Sequence, residues 1–349
     1  MRFLRVVIWI PLFFIITCFL GNSIIRNNTD WVDTNSQPIY AHKGGISVFE
    51  GVYYWYGSDY RFTPSGKYDK QLNALNPGIN VYSSEDLVNW EFRRIALTYP
   101  TSGWGSEGTH HRAHVIYNQK TDQYIMWFYH YTNLFKNRMA SVAVADNPLG
   151  PFNILGRRET GAHLLYNSST TANCDSGRIG STKDLNVFRD SDGSAYLVYD
   201  DGQSNICVDK LADDYLYSTK KTVIALNNEP SHKAPSMIKY KGKYIVAASG
   251  GKEWSASETY YAVASSPLGP YGEKKCMSKE NTWQSQITDL VYIAPGNNLM
   301  VMCDQWWIPD SSHINGSRYL WLPVQFDSET EIAQIQYMEK WNPFEENIE

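Results

Sequence analysis

The sequence predicts an all-β fold and, within that class, a five-bladed β-propeller. Three observations carry the expectation: hairpin-like segments recur along the chain, one turn sequence is repeated, and polar residues stand just before the first strand of each hairpin. The hairpins are ISVFEGVYYWYGS (46–58), HVIYNQKTDQYIMWFYH (114–130), LNVFRDSDGSAYLVYD (185–200), PSMIKYKGKYIVAASG (235–250) and TDLVYIAPGNNLMVMCDQWW (288–307). In each, an apolar strand leads into a turn rich in Gly, Asp, Asn or Lys and then into a second apolar or aromatic strand. MASVAVADNPLGPF (139–152) and YYAVASSPLGPY (260–271) set the same Pro-Leu-Gly-Pro-aromatic turn after a strand of small residues, and Val81–Trp90 has the equivalent place after the first hairpin. A radial array of like units requires such a fixed turn after an outer strand. A β-sandwich is the competing architecture, but it does not require the repeated turn.

The first segment in chain order stands outside the array. MRFLRVVIWIPLFFIITCFLGNS carries two arginines and then an apolar run from Val6 to Leu20. That is the length of a signal-peptide core and short for a membrane-spanning helix, which needs about 20 residues. Residues 1–25 are expected to be a signal peptide or short membrane anchor, and residues 36–340 the propeller. The protein is then secreted, lumenal or held at the cell surface, touching a membrane only through that anchor.

Net charge is −5, which speaks against a nucleic-acid binder that works by neutralising phosphates. Aromatic residues make up 14%, with 25 Tyr and 12 Trp, a content that suits both strands and sugar-stacking surfaces. Cys174, Cys207, Cys276 and Cys303 lie beyond the leader, an even number that permits up to two disulfides.

Propeller blades bring the starts of their innermost strands together at a central shaft. The candidates for a site are therefore His42 with Lys43; His110, His111, Arg112 and His114; Lys183 with Asp184; His232 with Lys233; and Gln286 with Asp289. On strict strand alternation His110 and His114 share a face that His111 does not, so no metal site is expected from the histidines. A Ca²⁺ in the shaft, held by carbonyls and waters, would leave no mark in a sequence, and no cofactor is otherwise required. Asp190-Ser191-Asp192-Gly193 reads as a hairpin turn rather than the start of a calcium loop. Trp104 and Trp254 are candidates for a sugar-stacking floor, with core packing as the commoner role of any one tryptophan.

Several pieces resemble glycoside hydrolase family 43, and in particular its exo-β-1,3-galactanase-like branch. They are Ala41–Ile46, Tyr53–Gly57, Val115–Asn118 with Met126-Trp127, Asp184–Phe188 with Asp190–Gly193, Ala234–Met237, Ser285-Gln286 and Tyr319–Pro323, running in order through every blade. The resemblance implies an inverting glycosidase that takes a terminal sugar in an axial pocket. One group protonates the leaving oxygen, a second activates water on the opposite face, and a third sets the acid's pKa. It implies that Asp184 is the third group and that Gln286 stands near the base. The branch places a Glu acid directly before Ala-Pro, where this chain has Lys233, and Pro235 is expected to hold the preceding backbone extended and aim that lysine inward. A sugar-gripping Glu of the branch is likewise replaced within His111-Arg112-Ala113-His114, and Ser58 stands where the first hairpin usually carries a third Glu.

The expected site is therefore Gln286, Asp184 and Lys233 for chemistry, with His42, His111, Arg112, Trp104 and Trp254 binding substrate, and its partner is an oligo- or polysaccharide. An ammonium beside an oxocarbenium-like centre repels the charge that carboxylates normally stabilise. Several readings stay open: a hydrolase of galactoside-type or anionic glycans that uses other carboxylates such as Asp175, Glu229, Glu253 or Asp289; a carbohydrate-binding pseudoenzyme that has lost its general acid; and a structural propeller that binds protein through its rim. In the plainest case Lys233 is a rim residue paired with Asp184.

Overall fold

A computed structural model describes residues 23–61, 78–100, 109–132, 136–162, 164, 182–203, 205–227, 232–251, 254–278, 280–306 and 314–346 of the 349-residue chain. The inner strands of each sheet meet neighbours on both faces and carry near-continuous apolar runs, as in Ala195–Asp200 and Asn298–Gln305, while outer strands such as Glu91–Leu97 and Ser218–Leu226 are exposed and polar along much of their length. The strands form five four-stranded antiparallel sheets, each built from consecutive strands. The first sheet is β2–β5 (His42–Phe49, Val52–Ser58, Ile79–Ser84, Glu91–Leu97), and the second β6–β9 (Thr109–Asn118, Gln123–Thr132, Lys136–Ala145, Asn153–Arg158). The third is β10–β13 (Leu185–Arg189, Ala195–Asp200, Ile206–Leu211, Ser218–Leu226), and the fourth β14–β17 (His232–Tyr240, Lys243–Gly250, Thr259–Ala264, Lys275–Cys276). The fifth is β18–β21 (Gln286–Ile293, Asn298–Gln305, Arg318–Asp327, Ile332–Ile335). The first strands touch in the cyclic order β2, β6, β10, β14, β18 and back to β2. This is the expected five-bladed propeller.

Alternation along the strands builds the interfaces between blades. On β3, Trp55 packs into the cluster shared with the fifth blade while its neighbour Tyr56 packs into the cluster shared with the second. On β7, Met126 and Phe128 face the first blade, and Ile125, Trp127 and Tyr129 face the third. Full burial of each such side chain is worth about 1.5–3 kcal/mol. Two hairpins turn through Glu50-Gly51 and Lys241-Gly242, whose φ values of 52° and 82°, and of 47° and 77°, are those of a type I′ turn matched to strand twist. The two Pro-Leu-Gly-Pro turns share one geometry, with Gly150 at φ 74° and Gly269 at 73°, each followed by a cis proline.

The ends of the described chain close the ring. β1 (Ile25–Arg26) pairs with β22 (Lys340–Trp341), and the Asn27 side chain bonds both the Trp321 amide and its carbonyl at 2.9 Å. Trp31, Trp55, Trp90, Trp321 and Trp341 pack into the same cluster between the first and fifth blades. The folded unit is therefore wider than the expected 36–340. Ile25, the last residue of the expected leader, belongs to it through its pairing with Trp341, and residues 1–22 of that leader lie outside the described residues. Cys207, Cys276 and Cys303 are free thiols, and Cys174 lies outside the described residues.

Each inner strand contributes one residue to a polar ring across the shaft: Gly45, His114, Asn186, Ser236 and Asp289. Asp289 is its hub. Its Oδ1 accepts from Asn186 Nδ2 at 2.9 Å, Ser236 Oγ at 2.8 Å and the Leu290 amide at 2.9 Å, and its Oδ2 accepts from the Ile46 amide at 3.2 Å. Asn186 also donates to His114 Nδ1 at 3.1 Å. A buried carboxylate needs such donors, since a bare one is costly. Beyond the ring, toward the strand ends, a cavity of about 830 Å³ is lined by residues including Phe49, Tyr117, Phe188, Lys239 and Tyr292. The strand starts lie on the other side of the ring.

Gly45 is required by this ring, because a Cβ there would lie 2.2 Å from Asp289 Oδ2 and 2.5 Å from His114 Nδ1. Gly45→Ala is expected to lower stability by about 1–3 kcal/mol, read by chemical unfolding, as overpacking in a filled core does. An unchanged midpoint would mean that the ring yields freely.

Candidate active site at the strand starts

The inner strands do not enter the shaft as regular strands. β2, β6 and β14 each bulge at the same level, between His42 and Gly45, His111 and His114, and Lys233 and Ser236. The residues at the bulge, Lys43, Arg112 and Ala234, have φ of 54°, 55° and 53°. Left-handed backbone at a non-glycine residue costs about 1–2 kcal/mol, and three repeats of it mark a constraint imposed by the site. Ala234 is therefore not extended as the following Pro235 suggested. The bulge also overturns the alternation among the histidines: His111 lies opposite Tyr129 and His114 opposite Trp127, two steps apart on β7, so these two share a face. His110 instead stacks on Tyr99 and faces His130, with the two Nδ1 atoms 3.1 Å apart.

Six of the eight expected site residues, His42, His111, Arg112, Asp184, Lys233 and Gln286, come together at this end of the shaft. Arg112 is 1% exposed, and its Nη2 lies 3.3 Å from Asp184 Oδ2 and 3.5 Å from Gln286 Oε1. Asp184 Oδ2 also accepts from the Ala234 amide at 3.1 Å. Gln286 Oε1 takes a second donor, Trp306 Nε1 at 3.1 Å, while its Nε2 faces Ser249 Oγ at 3.4 Å, so the amide is held in one orientation. His42 Nδ1 meets Asp304 Oδ1 at 3.1 Å, and the Lys43 amide donates to Asp304 Oδ2 at 2.8 Å. His111 Nδ1 lies 3.0 Å from both Ser58 Oγ and Tyr60 Oη.

Lys233 does not pair with Asp184. Its Nζ lies 2.8 Å from Asp200 Oδ2, the lysine side chain 9% exposed and the aspartate 0%. Arg112 holds Asp184 instead. Trp254, expected as a sugar floor, has the Lys43 ammonium over its ring, 4.3 Å from the centroid. Trp104, Asp175, Glu229 and Glu253 lie outside the described residues. Asp289 belongs to the polar ring.

Sequence reasoning missed Asp200 and Asp304 because it looked only at first strands. In an antiparallel hairpin the end of the second strand lies level with the start of the first. Gln286 pairs with Asp304, His42 with Ser58 and Lys233 with Ser249. Asp200, at the end of β11, donates its amide to the Asp184 carbonyl at 2.9 Å. That register rule is the signal that could have found them.

Electrostatics follow from burial and these pairs. Burial alone would raise the Asp184 carboxyl, but the positive charges of Arg112, Lys43 and Lys233 outweigh it and hold the group below its usual value. Burial, then Lys43, keeps His111 well below the usual imidazole range, and burial, then Arg112, brings His114 to about 3. Burial pushes Asp289 up to about 7 despite its donors. Among the described residues no group of three or more His, Cys, Asp or Glu side chains is arranged to hold a metal ion. The polar ring does not suit a Ca²⁺ either, since both oxygens of its one carboxylate are already taken by N–H and O–H donors, and calcium wants about 6–8 oxygen ligands.

The sequence matches glycosyl hydrolases family 43 over residues 45–309. Its fold is similar to that of a GH43 β-1,3-galactosidase solved with galactodeoxynojirimycin, at 29% identity and TM-score 0.76, covering 91% of this chain and 100% of that one. It is also similar to an exo-β-1,3-galactanase from Phanerochaete chrysosporium solved with galactose, at 26% identity and TM-score 0.74, covering 91% of this chain and 68% of that one. The exo-β-1,3-galactanase from Clostridium thermocellum matches at 25% identity and TM-score 0.77, covering 92% and 67%. No curated protein matches the sequence.

Acid sensitivity follows from the buried histidines. His110 and His111 titrate well below 6.5, His114 at about 3, and His130 and His232 at about 4. In the unfolded chain they take protons at about 6.5. The unfolded state thus binds more protons between the two values, and stability falls as pH drops through that window. Asp289, raised when folded, acts in the opposite sense, losing stability as pH rises toward 7. Calorimetric Tm is expected to fall steadily from pH 7 to 5, and more steeply in Asp289→Asn. A flat Tm over that range would contradict the buried neutral histidines.

Proposed function

The chain belongs to glycosyl hydrolases family 43, and from that premise we propose that it takes the terminal galactose-type residue of an oligo- or polysaccharide at the Lys233 end of the shaft and acts on that residue's glycosidic bond. One observation carries the reading: four blades supply His42, Arg112, Asp184, Lys233 and the fifth Gln286 to one buried polar cluster, and the similar proteins solved with galactose and with galactodeoxynojirimycin have the same fold. Buried donors left over in the cluster support it. Arg112 Nε and Arg112 Nη1 have no acceptor among the described residues, and sugar hydroxyls would supply acceptors. The basic and then apolar first residues support action outside the cytoplasm.

The chemistry at the bond departs from the resemblance. Gln286, with its carbonyl oxygen held by Trp306 and Arg112, is suited to positioning a water rather than taking its proton. Asp184 stays ionised beside Arg112 and cannot donate. Lys233 is committed to Asp200, so among the described residues at this end no neutral carboxylic acid faces the leaving oxygen. The bonds cleaved fastest are then those whose leaving group needs little protonation. The same ion pair favours a second reading, a carbohydrate-binding protein that has lost its general acid.

Calorimetry with galactose and turnover of two substrates separate these. Galactose is expected to bind, and a dinitrophenyl β-galactoside is expected to hydrolyse much faster than β-1,3-galactobiose. Replacing Lys233→Glu together with Asp200→Asn, so that no buried carboxylate loses its cation, is expected to raise galactobiose hydrolysis by about 10²–10⁴-fold, the usual contribution of a general acid. Binding without turnover of either substrate would establish the second reading, and absence of galactose binding would sink the proposal.

A further inference from the structure

The chain reaches Gln286 through a left-handed turn. Glu280, Asn281, Thr282, Trp283 and Gln284 have φ of 52°, 52°, 51°, 51° and 62°, and the Ser285 amide closes the turn on the Asn281 carbonyl at 3.2 Å. Among the described residues no other consecutive non-glycine residues share this conformation. L-residues visit it singly, because it drives Cβ against the following carbonyl oxygen, and a run of them persists only where its surroundings over-determine it. β2, β6 and β14 each carry one left-handed residue, at the bulge itself. β18 bulges between Ile287 and Asp289 without one, and its left-handed residues all stand ahead of Gln286.

Buried hydroxyls centred on Thr282, which is 0% exposed, hold the turn. The one hydrogen of the Thr282 hydroxyl goes to the Ser257 carbonyl at 2.7 Å, so its oxygen accepts from Thr259 Oγ1 at 2.9 Å and Ser278 Oγ at 2.8 Å. The Ser285 hydroxyl donates to the Thr282 carbonyl, and the Ser257 amide donates to the Ser285 carbonyl at 3.2 Å. From there two routes lead to the Gln286 side chain. On one, Ser257 Oγ bonds Ser249 Oγ, which faces Gln286 Nε2 at 3.4 Å. On the other, the Trp283 carbonyl accepts from Gln305 Nε2 at 3.1 Å, and the next residue, Trp306, donates to Gln286 Oε1. Trp306 Nε1 can only donate, so the amide oxygen must face it and the amide nitrogen must face Ser249. The ladder of β18 with β19 begins at Gln286, so these bonds shape the approach to that residue rather than the sheet beyond it.

Resting on the terminal-sugar reading above, we infer that Thr282 is a positioning residue for the substrate: through the left-handed turn it fixes how the Gln286 amide stands toward the sugar. Calorimetric titration of the full chain with galactose, run as a double-mutant cycle, tests this. Thr282→Val, which keeps the volume and removes the hydroxyl, is expected to weaken galactose binding about 3–10-fold, the worth of one well-aligned hydrogen bond. Thr282→Ser, which keeps the hydroxyl, is expected to stay within about 2-fold of the parent. In a Gln286→Ala background Thr282→Val is expected to cost no further affinity, although it lowers Tm in both backgrounds. A merely structural threonine would weaken binding equally with and without the Gln286 side chain, and that result overturns the proposal, as does full affinity in Thr282→Val. Should Thr282→Val not fold, Ser249→Ala takes its place in the cycle, read by the same two outcomes. Gln284→Gly, on the exposed side of the turn, checks the backbone separately. Glycine takes a positive φ without strain, so Tm is expected to rise, and a lower Tm overturns the strained turn. Absence of galactose binding in the parent protein overturns the terminal-sugar reading and the positioning role with it, whereas binding that ignores Thr282 overturns the positioning role alone.

Discussion

The hydrogen-bonded ring at Asp289 is the constraint on which the rest depends. Five antiparallel sheets closed on themselves must bring five strands to one axis, and whatever those strands present there is removed from water. Asp289, Asn186, Ser236 and His114 satisfy one another, and Gly45 makes room for them. The ring divides the axis in two. On the side of the strand ends lies the wide cavity, and on the side of the strand starts lies a tight cluster of charged groups whose arrangement is set by bulges just above the ring. Because the bulges and the ring occupy adjacent positions on the same strands, the shape of the site and the closure of the propeller are one packing problem.

Within that cluster the cations meet counter-groups. A chain with cations at positions where the resemblance implies carboxylates has to find partners for them, since breaking a buried pair typically costs about 3–5 kcal/mol. Asp200 serves Lys233, Asp184 serves Arg112, and the two tryptophans Trp254 and Trp306 receive Lys43 on their faces. Burial and the nearby cations keep His111 neutral in this field. The result is a mouth whose described carboxylates are held as ionised partners of cations and N–H donors.

Much of the fold was legible in the sequence because its signals are local. The hairpins, the repeated Pro-Leu-Gly-Pro turns and the polar strand entries each depend on a few neighbouring residues, and all appear where the pattern put them. The site was legible as a set of positions but not as a set of partners. Strict alternation failed at Arg112–Ala113, where a bulge inserts residues that no hydrophobic pattern marks, and Ala234 took a left-handed backbone that its proline argued against. Asp200 went unseen because it ends an ordinary apolar strand, and only the hairpin register brings it level with Lys233 of the next blade. Ile25 was assigned to the leader because two-residue pairing with the far end of the chain leaves no periodicity to read.

The most direct test of this account is a crystal structure of the protein with galactose bound. The account predicts the sugar at the strand starts, within hydrogen-bond reach of Arg112 and Gln286, with Lys233 Nζ still on Asp200. A sugar seated in the cavity at the strand ends, or a carboxylic acid in contact with the anomeric oxygen where Lys233 is expected, would contradict it.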